Sequence, residues 1–414
     1  MSRGVIKMYN LMNKNSKIAV FEKSKDQLDN SFIIIHGTEE KLPIGFQDIN
    51  SWLDRRQAAK HREHLRQLMA QCGCLNSEGF IKITHATSLN DTFWVKSEDE
   101  NATWETVSLY RNEFNEVISK ISFEGTGLFG IDFSTTTPEF STEGSFEKCW
   151  KREENGIYLY KRGSMGARNA GLEPYSEVYA CQIGKILCRN FVDYSLTTLH
   201  KRTASKCELF TNEENGFIPL SNIFQRRVTP REMLEYYSSI GSEDAFRRMV
   251  VFDAVTFNTD RHMGNHGVIF DNDSLTVKCM APVFDNNQSL LPYAEEQDFQ
   301  QIGSYVESKI PHIGEDFINI AKAVMSPAIR SDLINLHGFR FSYIDSDRFS
   351  RERLYTIEKI INTQISGILD KNKMYTVEVF PKQESVLSKL HNYQGQVSLS
   401  RTENLTEKKI QIEK

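Results

Sequence analysis

Near the start of the chain, residues 17–21 and 31–36 set apolar and β-branched side chains between polar turns, which predicts short strands across residues 5–46. The period then changes. Trp52, Ala58, Leu65 and Met69 supply the apolar positions of a helix over residues 49–72, with Asn50 or Ser51 placed to cap its first turn. The other face of that helix is basic, with Arg55, Arg56, Lys60, Arg62 and Arg66. Residues 80–130 mix strand-like pieces with the aromatics Phe93, Trp94 and Trp104, and the polar run 132–138 marks a boundary near residue 130. Beyond it the order is strand, small-residue loop, strand, helix, strand. On the strand at 155–162, Ile157, Leu159 and Lys161 share one face and Tyr158 and Tyr160 the other. A helix opens near Pro174, a natural first-turn residue, and runs to about Asn190. Residues 205–211 alternate as a strand, and 242–257 read as a helix behind Ser242 as its cap. Helices follow at 314–326, 329–337 and 347–371, and from about residue 383 the chain is polar and charged, a composition that frays. The expected class is α+β in four parts: an accessory α/β domain at 1–130, a sheet-bearing lobe at 131–215, a mostly helical lobe at 216–382 and a flexible tail at 383–414.

A length of 414 residues suits two or three domains, and a formal charge of −5 excludes a globally basic nucleic-acid binder while leaving a local patch open. The basic face near residues 55–66 therefore stands either as solvated surface or as a nucleic-acid or partner contact. No apolar run approaches the roughly 18 residues of a membrane helix, and the opening residues lack a signal-peptide core, so the expected location is cytoplasmic. Seven cysteines are scattered without Cys-x-x-Cys spacing, as reduced thiols, with Cys181 and Cys188 expected as small buried groups. His262 and His266 have the spacing of a zinc-binding helix, but they lie in a loop with Gly264 and Gly267 and no Glu follows His262, which argues against zinc.

The densest chemistry lies at residues 258–290. Asp260 and Asn265 share one loop, an apolar segment and the polar turn 271–274 follow, and a second strand-like segment ends in Asp285. A short loop can aim a carboxylate and an amide oxygen at one point, and a strand pair returns a third oxygen beside them. Phosphoryl transfer requires this set: a carboxylate to orient an attacking hydroxyl, and hard oxygen ligands for magnesium. Taken singly, each Asp or Asn is also explained by turn formation. In the helix after Pro174, Glu177 shares the stripe of Cys181, Gly184 and Cys188. An inward carboxylate is costly unless it meets a cation, and Lys161 is the nearest candidate. The alternative is a Glu177 that answers the helix dipole and a Lys161 that reaches to water. In the loop at 140–148, Ser141, Thr142, Gly144 and Ser145 are small enough for backbone amides to approach phosphate oxygens, though a hairpin turn would look alike. Asp253 either binds the backbone of the loop after its helix or forms a partly exposed salt bridge, and Arg261 supports the loop structurally.

The Asp-x4-Asn spacing with a later Asp resembles the catalytic loop and metal-binding Asp of protein kinases. The wording Asn258-Thr-Asp-Arg-His-x-x-Asn-His-Gly267, then Phe284-Asp-Asn-x-x-Ser-Leu290, is similar to that of the HipA-like serine/threonine kinases. That resemblance, over about residues 138–340, implies a bilobal protein-kinase-like fold with a mixed α/β N-terminal extension and a helical C-lobe. It implies ATP and Mg2+ as cofactors, Asp260 as catalytic base, and Asn265 and Asp285 as magnesium ligands. It further implies Gly144 and Ser145 over the phosphates, Lys161 held by Glu177, and Glu208 and Phe210 at the adenine hinge. The implied acceptor is a Ser or Thr of a protein, and the implied partner an antitoxin. One departure stands out: Glu143 precedes Gly144 where the family has a serine that can be autophosphorylated, so Thr142 or Ser145 takes that role or the off-switch is missing. Residues 87–94 resemble part of the family's N-terminal region and carry no chemistry. The rival readings are a kinase of small molecules and a non-catalytic nucleic-acid- or partner-binding protein.

Overall fold

A computed structural model of the chain describes residues 7–23, 31–58, 63–124, 137–144, 146–166, 169–346 and 348–370. The tail expected at 383–414, most of the boundary run, and Lys60, Arg62 and Ser145 lie outside the described residues.

The N-terminal body is built on an antiparallel sheet of β1 (Met8–Asn13), β2 (Ser16–Lys23), β3 (Phe32–Gly37) and β4 (Phe93–Ser97), in the order β3-β2-β1-β4. Tyr9, Leu11, Phe21 and Phe32 turn into a core shared with α1 (Ile49–Arg56), α2 (Glu63–Gln71) and α3 (Ser77–Thr84). The single helix expected over 49–72 is two. After Arg56 the chain leaves the helix, and Ala58 N–H donates to the Phe140 carbonyl at 2.7 Å. Neither Asn50 nor Ser51 caps α1. Asp48 does, accepting from the N–H groups of both, while the Asn50 amide pairs with the backbone of Phe32 in both directions. The basic face is broken as well: Arg56 is 8% exposed and pairs with Asp91 at 2.7 and 2.9 Å. Two further helices, α4 (Trp104–Val107) and α5 (Glu116–Glu124), lead toward the second sheet, where Ser119 and Ser122 of α5 donate to the carbonyls of Trp150 and Lys148.

That sheet comprises β5 (Lys148–Glu153), β6 (Gly156–Arg162), β7 (Tyr194–Leu199) and β8 (Arg202–Glu208), antiparallel in the order β5-β6-β8-β7. Helix α6 (Glu173–Leu187) lies across it, ending before the expected Asn190. The last body opens with β9 (Asn215–Pro219), α7 (Leu220–Phe224) and α8 (Pro230–Ser239). Its central helix is α9 (Glu243–Thr256), buried along nearly its whole length against α6, α8, α12 (Phe317–Ala323) and α14 (Arg351–Leu369). Ser242 precedes α9 but does not cap it; its hydroxyl accepts from Met280 N–H at 2.9 Å instead. Strands β10 (Gly267–Asp271) and β11 (Val277–Met280) pair beside β9, and α10 (Glu296–Gln300), α11 (Ile302–Glu307) and α13 (Pro327–Leu336) complete the body. Helices α12, α13 and α14 occupy the three stretches expected, α12 and α14 shorter and α13 starting two residues earlier, whereas α7, α8, α10 and α11 were not anticipated.

All seven cysteines are free, and Cys181 and Cys188 are buried. Among the described residues no helix is long and apolar enough to cross a membrane.

Candidate active site

Strand register sets one wall of the site. Lys161 on β6 lies directly opposite Lys148 on β5 and Ser205 on β8, and directly opposed residues share a sheet face. Helix α6 covers that face and brings in Glu177, whose two carboxylate oxygens are both engaged. Lys161 Nζ donates to Oε1 at 2.7 Å and Ser205 Oγ to Oε2 at 2.6 Å. Lys161 also meets Asp285 Oδ1 at 2.7 Å, with side-chain exposures of 7% for Lys161, 1% for Glu177 and 18% for Asp285. Two ammonium groups opposed on neighbouring strands repel unless neutralised, and these carboxylates supply the neutralisation. Burial alone would lower the Lys161 pKa, but Asp285 and Glu177 raise it above its ordinary value. Burial alone would raise the Asp285 carboxyl; Lys161 and then Lys148 outweigh it and hold that carboxyl down to about 2. Both groups are charged at neutral pH.

The other wall is the loop after α9. The helix stops at Phe257, in the left-handed region at φ 55°, and the N–H of Asn258 turns back to the Asp253 carbonyl at 2.9 Å. The Asp253 carboxylate neither binds the loop backbone nor forms a partly exposed ion pair. It is buried and accepts from the side chains of Asn258 and Arg261. Arg261, itself fully buried, also donates to the carbonyls of Asn265 and Phe284 and to Asn286 Oδ1. One guanidinium thus ties together α9, the loop and the segment carrying Asp285. The Asp260 backbone is held at both ends: its N–H donates to Asn258 Oδ1 at 3.1 Å, and its carbonyl accepts from His262 N–H at 2.8 Å and Asn265 Nδ2 at 2.9 Å. Asn265 spends its amide nitrogen on the loop, which leaves its oxygen for another partner. Burial raises the Asp260 carboxyl, with Asp285 adding to the effect and His262 and His312 opposing it. Asp285 stands at φ 56°, a strained position that Asp tolerates better than most residues, with its N–H on the Tyr194 hydroxyl at 3.1 Å.

Asp260, Asn265, Asp285, Lys161, Gly144, Glu208 and Phe210 line one cleft between these walls. Glu177 does not reach it and touches it only through Lys161. Phe210 packs with Phe217 and Phe284 at centroid distances of 5.4 to 5.5 Å, an aromatic floor beside Asp285. Gly144, at φ 96°, lies so close to Lys148 that a Cβ there would fall 2.2 Å from its Nζ. Lys148 Nζ in turn donates to the Glu143 carbonyl at 2.8 Å. The Thr142 hydroxyl is already committed, donating to Pro138 O at 2.7 Å and accepting from Trp150 Nε1 at 2.9 Å. His266 turns into the core against the Tyr237 hydroxyl at 2.9 Å, and burial pushes it down to about 3, hence neutral, whereas His262 lines the cleft.

Sequence reasoning missed three contributors. Lys148 becomes visible only once β5 and β6 are in register. Ser205 needed the β6–β8 pairing. Ser88, Leu89 and Asn90 of the N-terminal body also line the cleft, seated where the Leu89 carbonyl accepts from Thr211 Oγ1 and the Asn90 carbonyl from Phe217 N–H. Asp285, a carboxylate held ionised, and Asn265, with its amide oxygen uncommitted, line the same cleft and are hard oxygen donors of the kind magnesium takes.

No protein-family model and no curated protein that was compared matches the chain. Among solved structures it is similar to HipA in the Shewanella oneidensis MR-1 toxin–antitoxin complex of HipA, HipB and operator DNA. The TM-score is 0.50 at 11% identity, over 89% of this chain and 100% of that one. It is also similar to the Helicobacter pylori proinflammatory kinase CtkA, with a TM-score of 0.39 at 17% identity, over 54% of this chain and 90% of that one. The HipA likeness is one of fold: mixed α/β with antiparallel sheets, a mostly helical C-terminal body and an N-terminal extension.

Proposed function

We propose that the chain is an ATP- and magnesium-dependent kinase of the HipA-like type, which transfers the γ-phosphoryl group to a Ser or Thr hydroxyl of a protein. The observation that carries this reading is the buried Glu177–Lys161–Asp285 chain facing Asp260 and Asn265 across one cleft. In it, Lys161 exchanges its contact with Asp285 for the phosphates, while Glu177 keeps its ammonium aimed. The Gly144 loop lies over the phosphates, and Glu208 and Phe210 border the base. Magnesium held by Asn265 and Asp285 would neutralise charge on the phosphates. Asp260 orients the acceptor hydroxyl and takes its proton late in the transfer.

A protein acceptor is favoured over a small molecule because the two sides of the cleft differ in access. Asp260 is 38% exposed, whereas Lys161 on the nucleotide side is 7% exposed. An open acceptor side suits a loop of a large partner; a small acceptor would call for an enclosing wall. The proposal includes a cytoplasmic setting and an antitoxin partner, and the division of the chain at about residues 130, 215 and 382. Asp260→Asn should cut transfer to protein by about 10²–10⁴-fold while leaving ATP binding intact. Phosphoryl transfer at the wild-type rate by purified Asp260→Asn protein would overturn the assignment.

A further inference from the structure

We propose that His312 helps hold the attacking hydroxyl from beside Asp260, an inference that rests on the kinase reading above. His312 comes from a different part of the chain, the segment between α11 and α12, and its Nε2 stands 3.9 Å from Asp260 Oδ1. Among the described residues this is the one ion-pairing contact of the Asp260 carboxylate within 4.0 Å.

That distance is too long for a direct hydrogen bond, and it suits an oxygen seated between the two, about 2.7 Å from the carboxylate and about 2.9 Å from the imidazole. The ring is placed there by its surroundings. The His312 side chain is 51% exposed, while its neighbours Pro311 and Ile313 are buried, and all three border a small cavity with Asn258, Arg261 and Asp253 behind the loop that carries Asp260. Gly314, at φ 88°, turns the chain tightly against Ile320. The ring edge meets His262 at 86° with centroids 5.9 Å apart, and the Nδ1 of His262 accepts from Gly264 N–H at 3.0 Å, which steadies the second ring.

In the reaction, the acceptor hydroxyl donates its hydrogen to Asp260 while His312 Nε2–H donates to one lone pair of the hydroxyl oxygen. The other lone pair attacks the γ-phosphorus. The new O–P bond forms, the bond from the γ-phosphorus to the β,γ-bridging oxygen breaks, ADP leaves, and Asp260 loses the proton to solvent. His312 therefore sets where the acceptor sits and leaves nucleotide binding alone.

The test uses the full chain with Mg2+, labelled ATP and a degenerate Ser/Thr peptide library, comparing wild type with His312→Ala and His312→Gln. A fluorescent ATP analogue monitors nucleotide affinity in parallel. The expected result for His312→Ala is a fall of about tenfold in kcat/KM for peptide with unchanged nucleotide affinity. His312→Gln should recover much of that loss, because its amide N–H can donate from a similar place. An alanine variant as active as wild type, or a glutamine variant no better than alanine, would overturn the inference and leave the kinase reading standing. A wild-type chain that binds the nucleotide and labels no peptide would overturn both.

Discussion

Arg261 holds the candidate site together more than the residues expected to do chemistry. Its side chain is 1% exposed and pairs with Asp253 at 3.0 Å, so that removing it would strand a buried carboxylate. Burial raises the Asp253 carboxyl and Arg261 opposes that rise. Breaking a buried pair from one side typically costs about 3–5 kcal/mol, and here the lost guanidinium also releases the Asn265 and Phe284 carbonyls and Asn286. Arg261→Met should therefore lower the urea midpoint by a corresponding amount; an unchanged midpoint would show that the network contributes little. At this scale the sequence offered candidates and was poor about partners. Asp260, Asn265 and Asp285 stood out because a phosphoryl-transfer site uses few kinds of side chain, and the fold brings all three to one cleft. Asp253 could not be resolved, because its partner Arg261 lies beyond a helix end whose turn at Phe257 no local pattern predicts.

Among elements, the β6–α6 pair was readable because burial and periodicity point the same way. A strand whose apolar face carries Lys161 and a helix whose apolar stripe carries Glu177 must neutralise each other. The helix expected over 49–72 failed for the opposite reason. Its apolar spacing runs on past Arg56, while the break is fixed by Phe140, a residue far along the chain that captures the N–H of Ala58. Lys148 was missed likewise, since strand register is not a local property. The loop it supports gives a prediction of its own. Gly144 sits at a positive φ over the Lys148 ammonium, so Gly144→Ala forces the loop or the lysine aside. The expected outcome is weaker ATP binding by titration with little change in the melting temperature, because a cleft-edge loop can relax without unfolding a core. A wild-type affinity would mean that the loop's shape does not matter to the nucleotide.

At the scale of the molecule, three bodies meet at one cleft, and the N-terminal one is part of its wall. Residues 87–94 read from sequence as carrying no chemistry, yet Ser88, Leu89 and Asn90 border the site, and Asn13 and Lys14 fasten the same body to Asn272 and Asp273. Only the folded chain shows this, since each contact joins segments distant in sequence. The two-lobed architecture itself was legible from the order of elements. The central claim is that Asp285 changes partner, from Lys161 to a magnesium ion brought in with the nucleotide. Calorimetric titration of ATP into the full chain, with and without Mg2+, for wild type and Asp285→Asn, tests it most directly. The account predicts that Mg2+ strengthens ATP binding to the wild type by at least about tenfold and that Asp285→Asn abolishes this gain; an equal gain in both proteins would contradict it.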